Sequence, residues 1–453
     1  MFEGQPEANT MAKPSFELIL DSPSYFSGDV VTGTVARRSG FAGLISPRSI
    51  VNVKVFGGTK IHVEGDRRRH HQTAERNWDL RLFQDEFILH DGPVHIPPGP
   101  DQEPVSWPFA IPLPLNPGPI QGLTRDQYEA SYLPLSPEHT ATHDLPFSFG
   151  NPYETGCPAL VAYQLVAEIF EERHGHRDKG PSMITSTFVE VRPAPSPPII
   201  DSNFKHFERR RLLRSERLAS PPSPAALLPQ PKESFFKKLF SSSSPPPCCL
   251  FNIQINYPTI IQLDSINPIP FLARIVSLGP EEVNEPPNIL NNMIPNPGHP
   301  FHLTSLKIKL KATTQVSVPG ERQHPVHEDT FGELSLRWDP ERDGSSDSDS
   351  NHLSRAPVLP DCSNRAEEEG GEPIPQMMDI GALIDWRVSP REMRYQGKNP
   401  GGNGRKKLYP DFVTYNIRHR HVLRWEVGLT MAKETFKVVH EDAVEVVSSC
   451  SWS

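Results

Sequence analysis

The sequence predicts an all-β protein built from two β-sandwiches, and three observations lead there. Proline accounts for 51 of 453 residues, too many for a helical protein, because each ring removes a backbone donor and fixes φ. Apolar and polar residues alternate with a period of two in several runs, which places one side of a strand in a core and the other in water. These runs fall into two blocks separated by a Pro/Ser-rich stretch, the layout of two domains and a linker. An apolar fraction of 36% supplies two cores only if part of the chain stays outside them.

Residues 1–13 show no apolar periodicity and read as a disordered N-terminus. Residues 14–193 form the first predicted sandwich. There Val51, Val53 and Val55 alternate with Asn52 and Lys54, and Val161, Tyr163, Leu165, Ala167 and Ile169 alternate against Gln164 and Glu168. With the runs 82–89, 107–111 and 185–191, the block holds roughly seven to nine strands. Residues 194–249 are the predicted linker: positions 193–247 carry twelve prolines and the block Ser241-Ser242-Ser243-Ser244-Pro245-Pro246-Pro247, a composition that buries too little apolar area to offset its ordering entropy. Inside it, Phe204, Phe207, Leu212 and Leu213 sit among Arg209, Arg210, Arg211, Arg214 and Arg217, the pattern of one short basic amphipathic helix.

Residues 250–447 form the second predicted sandwich. Leu306, Ile308, Leu310, Ala312, Val316 and Val318 alternate with Lys307, Lys309, Lys311, Gln315 and Ser317, and Leu423, Trp425, Val427, Leu429 and Met431 oppose Arg424 and Glu426. Between them, residues 341–373 carry nine acidic against three basic side chains and read as a disordered acidic insertion. A glycine-rich stretch at 396–407 reads as a loose loop, and 448–453 as a tail.

The net charge of -9 lacks the basic excess of a nucleic-acid binder, so protein partners are expected instead. No apolar run is long enough for a membrane span, and the first residues lack the apolar segment of a signal peptide, so the expected location is cytoplasmic. Five cysteines, Cys157, Cys248, Cys249, Cys362 and Cys450, form no CxxC pair and read as reduced thiols rather than zinc or redox ligands. His139 and His143 are four apart, but in a Pro-rich stretch where no helix aligns them on a metal. No phosphate loop or nucleophile elbow is present. The sequence therefore suggests no enzyme, no cofactor and no metal.

The segment Tyr25-Phe26-Ser27-Gly28-Asp29-Val30-Val31-Thr32-Gly33-Thr34-Val35 resembles the opening of arrestin-fold proteins, with a tight Gly-Asp turn feeding a strand that ends in Gly-x-Val. Gly28 supplies the φ > 0 turn, and Asp29 can bond backbone nearby. The runs starting at Trp107, Leu145 and Val161, including Tyr163, follow in the same order. Pro410-Asp411-Phe412-Val413-Thr414-Tyr415-Asn416-Ile417 is similar to the end of the arrestin C-terminal domain. The resemblance is to fungal arrestin-like proteins of the alpha-arrestin type. It covers most of residues 14–193 and pieces of 250–447, and it implies two arrestin-like immunoglobulin-type sandwiches.

It also implies a cytoplasmic adaptor, recruited to plasma membrane or endosomes, that links transporter or receptor tails to a HECT-type ubiquitin ligase and to endocytosis. The ligase-binding motif Pro-Pro-x-Tyr does not occur; Asn151-Pro152-Tyr153 and Ser22-Pro23-Ser24-Tyr25 come nearest. The alternative is an endosomal sorting or pH-signalling scaffold of the same fold that recruits no ligase.

Four groups of residues are candidate sites. Arg67, Arg68 and Arg69 can grip phosphate groups, because guanidinium forks match phosphate oxygens, or can form a solvated loop. Lys307, Lys309 and Lys311 share one strand face and suit either an anion-binding strip or a plain solvent face. Cys248 and Cys249 follow a basic aromatic segment and are candidates for palmitoylation and peripheral membrane attachment. Ser345, Ser346, Ser348 and Ser350, set among aspartates, are candidates for acidic-directed phosphorylation.

Overall fold

The structure, a computed structural model, describes residues 15–38, 44–63, 76–96, 103–118, 131–133, 143–153, 158–173, 176–177, 180–199, 203–219, 246–282, 286–294, 298–318, 326–338, 352–353, 356–361, 377–396 and 407–449. The regular structure of the described chain is almost entirely strand. It divides into two compact units: the first is Met1–Ala194 with Thr314–His327 and Phe412–His419, and the second is Pro195–Thr313, Glu328–Asp411 and Arg420–Ser453. Among the described residues, no helix is long and apolar enough to cross a membrane.

The first unit holds β1 (Ser15–Leu20), β2 (Ser24–Phe26), β3 (Val30–Arg38), β4 (Leu44–Val63), β5 (Arg76–Ile96), β6 (Val105–Pro112), β7 (Ala159–Arg173), β8 (His176–Arg177) and β9 (Met183–Arg192). One sheet runs β1-β3-β6; the other runs β2-β9-β7-β4-β5, with β8 beside β7. The predicted alternation is what builds it: Val51, Val53, Val55, Val161, Tyr163, Leu165, Ala167 and Ile169 are all buried, and each large aliphatic side chain so placed contributes about 1.5–3 kcal/mol. At the opening turn Gly28 has φ +85°, and Asp29 Oδ2 accepts from the Phe26 N–H at 2.7 Å. Gly33 lies where β3 passes under the Phe109 ring and the Ile19 carbonyl, so close that any Cβ would collide. Trp107 and Tyr163 are buried; the Tyr163 hydroxyl donates to the Pro146 carbonyl, and its ring stacks on Phe83 at 6.0 Å.

Between the two sheets, Arg37 of β3 meets Glu171 of β7 at 2.7 Å, with both side chains buried. The segment 412–419 also belongs to this unit. Phe412 packs edge-on against Phe147 and Phe149 at 5.0 and 4.9 Å, and Asn416 Oδ1 accepts from Thr59 Oγ1 at 2.8 Å. Tyr415 is buried as well, its carbonyl accepting from the Tyr132 N–H at 2.8 Å. His143 stands edge-on to the Tyr415 ring, and burial lowers its pKa.

The second unit holds β10 (Phe204–Arg214), β11 (Cys248–Pro258), β12 (Ile260–Gln262), β13 (Leu272–Leu278), β14 (Phe301–Val316), β15 (Val326–Trp338), β16 (His352–Leu353), β17 (Val358–Leu359), β18 (Met378–Asp379), β19 (Arg387–Val388), β20 (Met393–Arg394), β21 (Phe412–Val413), β22 (Ile417–Met431) and β23 (Glu434–Val447), with the ends of β14, β15 and β22 and all of β21 counted in the first unit. One sheet runs β10-β11-β13-β18 and the other β12-β23-β22-β14-β15-β16. Their facing side chains form one core, in which Phe251, Ile253, Ile308, Leu310 and Trp425 are buried.

Three organisational expectations need correction. The basic stretch expected as a short helix in a linker is strand β10, paired with β11 over eleven registered positions from Phe204↔Pro258 to Arg214↔Cys248. Ladder bonds to β11 supply the order that its composition does not. The expected linker 194–249 is therefore largely part of the second unit, and only 200–202 and 220–245 of it lie outside the described residues. The acidic insertion 341–373 is not loose throughout, because Ala356 and Leu359 join the core and Asp361 accepts from the Ser277 hydroxyl at 2.7 Å. Nor is the tail wholly free: Ser448 and Ser449 are buried, and the Ser196 N–H donates to the Ser449 carbonyl.

Candidate functional site

A concave feature of the first unit is a groove of about 1100 Å³ on the outward face of the β5-β4-β7-β9 sheet. Its floor follows from sequence through register. Gly58 on β4 lies directly opposite Ala162 on β7, so two neighbouring positions on the same face carry almost no side chain. The flanking positions are large: Phe56 pairs with Gln164, which pairs in turn with Phe188 of β9. Lys60 lies between Leu160 and Asp79. A depression with an aromatic row on one side and a charged end on the other is the result.

Beyond Phe56 the same face carries an ion-pair ladder. Lys54 Nζ lies 2.7 Å from Glu168 and 3.9 Å from Glu86, and Asn52 Nδ2 donates to Glu86 at 2.7 Å. The hydrogen bond to Glu168 raises the Lys54 pKa against the opposing effect of burial. At the other side Tyr153, 76% exposed, stands edge-on to Phe188 at 5.3 Å. Asn151 Oδ1 accepts from the Tyr153 N–H at 3.0 Å and so fixes that turn.

The polar side chains that line the groove include Thr59, Lys60, Asp79, Arg81, Gln84 and Asp85. The groove is an open slot with an aromatic row, Phe56 and Phe188 about Gln164, along one side. Among the described residues, no group of three or more His, Cys, Asp or Glu side chains could hold a metal ion.

Of the residues singled out from sequence, those that are described fall elsewhere. Arg67, Arg68, Arg69, Ser345, Ser346, Ser348 and Ser350 lie outside the described residues. Lys307, Lys309 and Lys311 do share a face, but as ion-pair partners rather than as a free cationic strip. Lys307 and Lys309 lie 2.7 and 3.7 Å from Glu333, and Lys311 lies 3.0 Å from Glu441. The hydrogen bond from Lys307 holds the Glu333 carboxyl below its ordinary range.

Cys248 and Cys249 open β11 and are both buried. Burial pushes the Cys249 thiol up to about 12 and raises that of Cys248. Acylation needs an accessible thiolate, so this placement removes the basis for the palmitoylation reading. Gly28, Asp29, Gly33, Trp107, Tyr163, Tyr415 and Asn416 hold turns and core contacts, as structural residues. Sequence reasoning missed the groove itself: Gly58 and Ala162 become neighbours only through the β4–β7 register. No protein-family model matches the chain, and no curated protein matches it.

Proposed function

We propose that the chain is a non-catalytic, arrestin-like adaptor that works in the cytoplasm and at the plasma membrane or endosomes. It holds an extended segment of a membrane transporter or receptor tail against the outward sheet of its first unit, and brings that cargo to the ubiquitination and endocytosis machinery. Its effect is proximity, which raises the local concentration of one partner about the other. The observation that carries this reading is the Gly58–Ala162 depression beside the cross-strand row Phe56–Gln164–Phe188, with its charged borders.

A photo-crosslinking residue at position 164, beside the depression, tests it in cells. Adducts with the cytoplasmic tails of membrane transporters or receptors are expected. Adducts confined to soluble proteins would overturn the cargo assignment.

The lack of any Pro-Pro-x-Tyr motif favours a second reading, an endosomal sorting or pH-signalling scaffold of the same fold without a ligase. Proximity labelling separates the two. A HECT-type ligase among the labelled proteins supports the endocytic adaptor, and coat or pH-signalling components without a ligase support the scaffold.

A further inference from the structure

We infer that strand β10 of the second unit is a docking edge for an extended acidic peptide of a partner protein, which joins the sheet as a further strand. Four observations carry the inference. β10 is the terminal strand of the order β10-β11-β13-β18, so one side of its backbone has no ladder partner among the described residues. Such an edge is a template for strand addition. The strand is also exposed for most of its length; within Phe204–Arg214 only Phe207, Arg211 and Leu213 are partly covered.

Its charge is the third observation. Lys205, Arg209, Arg210, Arg211 and Arg214 stand against the single Glu208, on a chain whose net charge is -9. Two of these cations are engaged within the unit, Lys205 with Asp442 at 2.7 Å and Arg211 with the Lys437 carbonyl at 3.3 Å. Arg209, Arg210 and Arg214 form no ion pair among the described residues. The fourth observation is the exposed apolar pair Phe204 and Leu212, which shares the face of Arg210 and Arg214 because side chains alternate along a strand. An incoming strand with acids and apolar residues in alternation satisfies the backbone, the arginines and the apolar pair together.

The same features disfavour other occupants. The free arginines divide between the two faces of the strand, Arg209 on one and Arg210 and Arg214 on the other, and so present no single cationic plane to a bilayer. Lipid headgroups also make no use of an open backbone ladder. A second copy pairing through its own β10 would set arginine rows beside one another, and like charges across strands repel.

The test is fluorescence anisotropy of the full chain with a dye-labelled ten-residue peptide of alternating Glu and Val. Binding is expected to weaken at least about tenfold in the R209E/R210E/R214E variant and on replacing Glu by Gln in the peptide. N-methylation of alternate peptide amides, which keeps the charge and removes strand pairing, is expected to cause a similar loss. That comparison uses the unaltered protein, so it stands even if the variant folds poorly. In a folded variant, a Lys-Val peptide is expected to bind where the Glu-Val peptide no longer does.

Equal binding of the N-methylated peptide would overturn the inference, leaving only a charged patch. So would vesicles containing phosphatidylserine that bind through the same arginines without competition from the peptide. Binding that appears only after deletion of residues 363–372, which leaves Ala356, Leu359 and Asp361 in place, would assign the edge to the chain's own acidic segment. Dimerisation lost in the arginine variant would assign it to a second copy. Either of the last two results would also overturn the partner reading.

Discussion

Strand β7 of the first unit is bonded on both sides, to β4 and β9, and its odd-numbered side chains from Ala159 to Ile169 are buried. Strand β10 of the second unit is bonded on one side only among the described residues, and eight of its eleven residues are exposed. The two show different sources of order. In β7, alternation and burial act together at every second residue. In β10, only Phe207 and Leu213 pack against the core, and the strand is held mainly by its ladder to β11. Its arginines lie where an open edge gains from charge that discourages random pairing.

Charge treatment gives the largest expected contrast. At the end of β7, Glu171 is paired with Arg37 in the interior, so Arg37→Leu removes the buried carboxylate's ion-pair partner and should cost up to about 3–5 kcal/mol. Replacing both residues with apolar ones of similar size should recover most of that loss. Denaturant titration of the three variants checks both statements, and a double replacement as damaging as the single one would show that the pair is needed for more than mutual neutralisation.

Apolar truncation comes next. Leu165→Ala in β7 should cost about 2–5 kcal/mol, the range for a buried leucine whose cavity only partly collapses. Phe207→Ala in β10 removes a ring that stands edge-on to Trp425 at 5.0 Å but is only half-buried, and should cost about 1–2 kcal/mol, below the range for fully buried phenylalanines. Equal losses in thermal unfolding would mean that β10 is as firmly integrated as β7.

The smallest effect lies in the tie at the start of β10. Burial pushes the Asp442 carboxyl up, but hydrogen bonds from Lys205, Tyr257 and the Ala443 N–H outweigh it and hold the group below its ordinary 3.8. A depressed folded-state value means that the contribution is complete above the unfolded value and is lost as pH falls through the folded one. Stability measured from pH 6 down to pH 2 should therefore fall below about pH 4. Lys205→Ala should lower the plateau by less than about 1 kcal/mol, since the pair is substantially exposed, and should flatten that fall.

The strands of both cores were legible in the sequence where period two persisted, as in the runs through Tyr163, Ile308 and Trp425. The Gly28-Asp29 turn was legible too, because its chemistry is local. β10 was not: its apolar residues are too few to set a period, and its proline-rich surroundings resemble a linker. The burial of Cys248 and Cys249 was equally hidden, since it depends on what β11 packs against. The lysines at 307, 309 and 311 were correctly placed on one face, but their partners Glu333 and Glu441 come from other strands. The groove was the least legible feature, because a glycine and an alanine far apart in sequence carry no signal until register makes them neighbours.

The most direct test of the adaptor reading is proximity labelling of cells expressing the full chain or the variant Ala162→Trp, whose indole fills the depression on an outward face. The account predicts that membrane transporters or receptors are labelled by the parent chain and lost with the variant, while its thermal midpoint is unchanged. Identical labelling by a folded variant would contradict the assignment of cargo binding to this face.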